Sequence, residues 1–461
     1  MHVLDKKGRG LNRTQTSKIR IPATSDSAVD LTEKQTPRAE PETVGSIVQI
    51  SRNGSLVLHV EAEDSVEVVL LRVDGRQLSE LSPYFSQLLN TRFEEGISIA
   101  KRHDELLQSY TSIADVPSDD LPKIKIQGIG YTSKIKSIRS LLVDLMLVLH
   151  GRDLPSQRPP LVNLANLVIV ADRFLVTDVL ARTVAMKLLL GEKKYGGMDE
   201  ETTRQKLMIG VLLHNAAWTL RCSAKMVLDG SLLWSDDEPP PAVVTSPNRA
   251  LWWDLPGVIE EEIQTRRHAI FDTIQSLQDF HLGLFTEKGT RHCKLGYDTS
   301  PQCDSFQLGE FVKFLTRCGT LSFGSAPKLV KNRNIKALLD TLRQCPSYQL
   351  DPNHAHCGPR KSFITGLEHI ERHLIDGFIG LCLDTRRKGS SFHSLWSDSD
   401  FSEAAPTRTD QEVFRCSCLD SHVAARQLFM PRLGHHWEFL LTPPSTLDQL
   451  GLRFGSMSYL K

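Results

Sequence analysis

Apolar residues recur along this chain with two different periods, and the change from one to the other sets out its organisation. The runs Gly54-Ser55-Leu56-Val57-Leu58-His59-Val60 and Val66-Glu67-Val68-Val69-Leu70-Leu71-Arg72-Val73 are β-branched and lean to period two. They predict the two strands of an extended hairpin. The segment from Leu78 to Leu89 predicts helix. Ser82 is placed to accept from the free amides of a first turn, and Pro83 stands where its missing N–H costs nothing. Phe93 and Gly96 close this opening stretch.

A polar segment follows to about Ser137, with a short strand candidate at Lys123-Ile124-Lys125-Ile126. Helical spacing then dominates. Ser137 can cap a run in which Ile138, Leu141, Leu142, Leu145 and Leu149 share a face, and Gly151 is placed to end it. Pro159-Pro160 opens the next run through Leu164, Leu167 and Ala171, and a further helix is predicted over Asp178 to Leu190. Beyond Glu201 the pattern is all-helical. One helix is expected over Leu207 to Leu220, then an exposed loop at Ser235 to Pro241. The strongest stripe starts at Pro256, through Ile259, Ile263, Ile270, Ile274, Leu277 and Leu284, with Glu262 and Arg266 spaced for an ion pair one turn apart. Shorter helices are predicted over Ser305 to Cys318, Asn334 to Cys345 and Ser362 to Leu374.

The order of hairpin, helical pair, strand, helical pair and further helix resembles a BTB/POZ domain. So do the phrases Leu81-Ser82-Pro83-Tyr84-Phe85 and Phe93-Glu94-Glu95-Gly96, and the apolar helix ending Ala171-Asp172-Arg173-Phe174. The implied fold class is α+β, a small sheet flanked by helices at 45–195. A surface insertion at about 97–136 departs from the family pattern. A helical extension with Cys/His loops is expected at 200–384. The whole is similar to a group of fungal BTB/POZ proteins with such extensions. Residues 1–44, rich in Ser, Thr, Pro, Lys and Arg, are read as a disordered basic arm, and 385–461 as a poorly ordered tail.

The resemblance implies a non-enzymatic protein that binds other proteins, itself included, through an apolar and often self-complementary face. Tyr84, Phe85 and Phe93 are candidates for that face, but burial in the module's own core explains them equally well. An adaptor holding a cullin-type ubiquitin ligase is the alternative the resemblance allows.

Composition narrows the partners. Acidic and basic side chains balance at 55 each, so no global field steers the chain toward nucleic acid or an anionic membrane. No apolar run behind the N-terminus reads as a signal peptide, and none is long enough to span a bilayer. An intracellular protein, cytoplasmic or nuclear, is expected, its nine cysteines reduced. Phosphate-cradle, dinucleotide and nucleophile-elbow motifs are all missing, and no small-molecule substrate is legible.

One constellation carries chemistry. Cys293 and Cys303 flank a polar loop, and His354, His356 and Cys357 follow after two predicted helices. A structural zinc takes four soft or borderline ligands in a tetrahedron. Cys293, Cys303, Cys357 and one of His354 or His356 meet that count, and the expected set is Cys293, Cys303, His356 and Cys357. The fungal extensions show a similar two-cysteine loop with a later His/Cys pair. Reduced packing cysteines without metal are the competing reading. A zinc hydrolase built on the same residues is the weakest alternative, because three thiolates and an imidazole close the shell. His369 and His373 share a helix face, but Glu371 stands in neither position that a metalloprotease helix requires. Cys416, Cys418, His422, His435 and His436 form a ligand-rich patch without a predicted element to fix it.

Overall fold

A computed structural model describes residues 46–61, 68–156, 159–187, 199–234, 250–255, 257–289, 291–295, 300–321, 334–376, 379–383, 396 and 428–429. The fold is α+β. Its sheet has the order β1-β3-β2-β4, from β1 (Val48–Gln49), β2 (Leu56–Glu61), β3 (Val68–Val73) and β4 (Lys123–Gln127). The predicted hairpin is β2 and β3, antiparallel with Leu58 opposite Leu71. The Lys123 strand lies beside β2 in parallel, Leu58 opposite Ile124.

Both faces of this sheet are covered, which explains why β2 reads Leu-Val-Leu instead of alternating cleanly. Leu56, Leu58, Val60, Leu71 and Ile124 face the main core. Val57 faces the other way, into a small cluster with Leu106, Val116 and Leu121. Those three residues belong to the segment expected as a surface insertion. It contains a fourteen-residue helix, α3 (Glu94–Leu107), and β4, and so forms part of the layered core. Its charge misled the reading. Lys123, Lys125 and Gln127 are exposed on one side of β4 while Ile124 and Ile126 are buried on the other.

The helical pair is α1 (Gly75–Leu81) and α2 (Pro83–Leu88). Asp74 caps α1 by accepting from the amides of Arg76 and Gln77. Ser82 caps α2, accepting from Phe85 N at 3.1 Å, and its hydroxyl donates to Phe174 O at 2.7 Å. The Phe85 ring stacks on Phe174 at 5.3 Å, and Tyr84 reaches the same ring. Two phrases ninety residues apart in the sequence are thus in direct contact. Phe85 is buried and Tyr84 partly so, whereas Phe93 is 52% exposed.

Gly96 sits where α3 turns against the preceding loop. A Cβ there would lie 2.2 Å from Asn90 O and 2.9 Å from Leu89 O, both backbone atoms that cannot swing aside. Gly96→Ala is therefore expected to cost about 1–3 kcal/mol, read as a lower urea midpoint with an unchanged slope. A neutral effect would show that the loop gives way.

Next come α4 (Ile138–Leu149), capped by Ser137, then α5 (Leu161–Arg173) and α6 (Thr177–Lys187). The helix expected over Leu207 to Leu220 is two helices, α7 (Glu200–Leu212) and α8 (Ala216–Asp229). They are hinged at His214, which takes φ 52°, and Asn215 caps the second through Trp218 N. Apolar residues run through the turn, so periodicity alone gives no break.

α9 (Ile259–Thr286) is the predicted long helix. Its Glu262–Arg266 pair, expected on spacing, is fully buried, with Arg266 Nε 2.7 Å from Glu262 Oε1. α10 (Ser300–Arg317), α11 (Ile335–Arg343) and α12 (Arg360–Asp376) complete the helical half. The described residues from Ile47 on form one compact unit, and its main apolar cluster runs from Ile50 to Phe429. The core thus continues past the boundary near residue 200.

Parts of the segment expected as a poorly ordered tail belong to that core. Trp396 is buried over the Arg266 guanidinium, 5.1 Å from it, and stacks on Phe429 at 5.7 Å. The stretches 1–44, expected as a disordered arm, 235–241, expected as an exposed loop, and 416–436, with its ligand-rich patch, lie outside the described residues, the described Leu428 and Phe429 excepted. No described helix is long and apolar enough to cross a membrane.

Candidate metal centre

Three separate pieces of chain converge on one buried point. The stretch 291–295, leaving α9, supplies Cys293. The first turn of α10 supplies Cys303. A 3₁₀ turn at Pro352–His354, between α11 and α12, supplies His354, and Cys357 follows three residues on. Asp351 starts that turn by accepting from Asn353 N at 2.8 Å, and Cys357 N donates to His354 O at 3.1 Å.

The four side chains are all buried, and their ligand atoms lie within 4.8 Å of one another. Cys293 Sγ is 3.4 Å from His354 Nδ1; Cys357 Sγ is 3.7 Å from Nδ1 and 3.8 Å from Cys293 Sγ. With bonds of about 2.3 Å to sulfur and about 2.0 Å to nitrogen, tetrahedral zinc holds its donors roughly 3.8 Å (S···S) and roughly 3.5 Å (S···N) apart. The observed separations match. This Cys3His cluster can hold a metal ion.

The fourth ligand is His354, not the expected His356. Past the 3₁₀ turn, Cys357 N bonds back to His354 O, so the chain turns between them and both side chains reach the same point. His356, directly before Cys357, is exposed and lines an adjacent cleft. The three-residue spacing from His354 to Cys357 was the available signal for this choice.

The surroundings act on two of the thiols in opposite directions. Burial works against ionisation of Cys293, but the Ser300 hydroxyl, the Leu295 amide and the neighbouring thiols outweigh it and bring the group down to about 7. Ser300 is wholly buried, and its hydroxyl finds no other hydrogen-bond partner among the described residues. Cys303 is pushed up, first by burial and then by the charge of Cys357. Three thiolates so close together repel, and a cation at the centre removes the conflict. Behind His354, an Asp351 carboxylate oxygen lies 3.7 Å from Nε2, placed to orient the ring.

Packing fixes the turn that follows. Gly358 takes φ +94°, and a Cβ there would lie 2.2 Å from Gln307 Oε1. Gln307 itself is held by donating to Tyr348 O at 2.7 Å.

Other candidates stay apart. The His369 and His373 rings lie 4.4 Å apart and tilted, and Glu371 pairs with Arg343. Burial, then the charges of His373 and Arg372, hold His369 down to about 4. Cys222 is raised to about 11 by burial and behaves as a small core residue.

Comparison of the chain with protein-family models, with curated proteins and with solved structures finds no match.

Proposed function

We propose that this chain is a non-enzymatic protein-binding scaffold whose helical half is pinned by a structural zinc ion held by Cys293, Cys303, His354 and Cys357. The observation that carries the structural role is the closed donor set. Four buried donors, all within 4.8 Å of one another, would complete a tetrahedral shell and leave no position for a substrate or an activated water. The metal would tie the exit of α9, the start of α10 and the entry to α12, three places with no mutual backbone ladder. The same closure counts against a zinc-dependent hydrolase.

Protein binding is inferred from the first half. The succession of hairpin, helical pair, strand and helical pair, with the Ser82-Pro83-Tyr84-Phe85 phrase seated on Phe174, supports a BTB/POZ-type reading. A ubiquitin-ligase adaptor would use this same module. Light scattering on the full-length chain tests self-association; a strict monomer removes that part and leaves binding to other proteins.

X-ray absorption on zinc-loaded protein tests the closed shell. Three sulfur ligands and one nitrogen, at about 2.3 Å and about 2.0 Å, are expected with no water oxygen. A fifth ligand or an exchangeable water would replace the structural role by a catalytic one.

A further inference from the structure

Beside the metal cluster lies a cleft of about 630 Å³, whose wall includes Cys357 and Gly358. Apart from the Cys357 thiol, its ionisable lining leans to one sign. Lys294, Arg360 and Lys361 contribute permanent cations and His292 and His356 imidazoles, and no carboxylate is found among the described lining residues. In a chain whose charges balance, so one-sided a cavity is a local feature.

The donors come from three directions. Arg360 is positioned by donating from Nε to Cys345 O at 2.8 Å. Ser347 brings a hydroxyl, whereas those of Ser362 and Thr365 already donate to Pro359 O and Lys361 O. Phe363 N bonds to Pro359 O, so the amides just ahead of it belong to the first turn of the seventeen-residue α12 and have no partner within the helix. On the opposite wall the His292 ring packs against Phe285 at 5.1 Å. Its Nε2 is enclosed and has no hydrogen-bond partner among the described residues.

We propose that this cleft binds a phosphate ester. A phosphate carries close to two charges and several acceptor oxygens, and so satisfies lysine, arginine, hydroxyl and amide donors at once. The volume exceeds what a bare anion needs and falls in the range of organic ligands. Leu284 and Phe285 supply an apolar surface for the rest of the molecule. The phosphate is carried either by a protein side chain or by a small molecule such as a nucleotide.

Calorimetric titration of the full-length, metal-loaded chain with ADP and with a phosphoserine peptide decides it. Adenosine and the unphosphorylated peptide serve as controls. At least one phosphorylated ligand is expected to bind and its control to fail. Lys294→Glu and Lys361→Glu, both at exposed positions, are each expected to weaken binding by about tenfold or more. Binding of the peptide alone assigns a protein source, and binding of ADP alone a small molecule. If neither binds, if the controls bind equally, or if both variants keep full affinity, the proposal is overturned. Metal content measured on the same variants should stay unchanged, so failure here is distinct from failure of the metal assignment.

Discussion

Cys303→Ser is expected to strip the metal and to destabilise the chain by on the order of 4–5 kcal/mol, the range in which loss of a bound metal falls. Cys303 is wholly buried at the start of α10, and its partners come from loops that no sheet or helix ties together. Removing one thiolate leaves two others and an imidazole without a counter-charge. His354→Ala should behave in the same way. His356→Ala should keep both the metal and the stability, because His356 is exposed outside the cluster. A chelator should lower the melting temperature of the parent protein and of His356→Ala, and should leave Cys303→Ser where it already is. If His356→Ala lost the metal and His354→Ala kept it, the turn geometry at 352–357 would be wrong.

Arg266→Met is expected to cost about 3–5 kcal/mol, the range found when one partner of a buried pair is removed. The Arg266 guanidinium is fully enclosed. It pairs with Glu262, donates to Ile379 O at 3.0 Å and to Gly380 O at 2.6 Å, and lies over Trp396. Glu262 also accepts from Trp396 N at 2.6 Å. The single variant takes the guanidinium away from a buried carboxylate and two carbonyls. Adding Glu262→Leu should recover part of the loss by removing the buried charge, but not all of it, because the two carbonyls have lost the Arg266 donor and the Trp396 amide loses the Glu262 acceptor. Denaturant unfolding of the two single variants and the double gives the coupling directly. Simple additivity would show that the pair contributes nothing beyond its separate contacts.

The elements that were legible in the sequence share a property: their signals are local. Ser82-Pro83 announces a cap and a first turn, and Ser137 and Asn334 do the same for α4 and α11. The 3.6-residue stripe from Ile259 to Leu277 announces α9. What was missed depended on distant contacts. The stretch 97–136 looks like a charged insertion until Leu106, Val116 and Leu121 are seen covering Val57 on the far face of the sheet. The break between α7 and α8 falls at His214-Asn215, where neither glycine nor proline marks the turn. Trp396 lies among polar residues in sequence and finds its partner on α9 only in three dimensions.

The candidate site divides along the same line. Three cysteines could be chosen by residue type, since thiolates are the soft donors that zinc takes. Selecting the histidine needed the local backbone. The 3₁₀ turn capped by Asp351 sets His354, and the turn closed by Cys357 N on His354 O brings the thiol to it; Asp351-Pro352-Asn353 could have been read as the first of these. The cleft beside it was not legible, because its cations come from stretches more than sixty residues apart.

Elemental analysis of the purified full-length protein, read beside the Cys303→Ser variant, tests the central claim most directly. The account expects one zinc per chain in the parent and none in the variant. A parent protein without zinc that unfolds at the same temperature with and without added metal would contradict it, and the four residues would then be reduced cysteines and a histidine packed together.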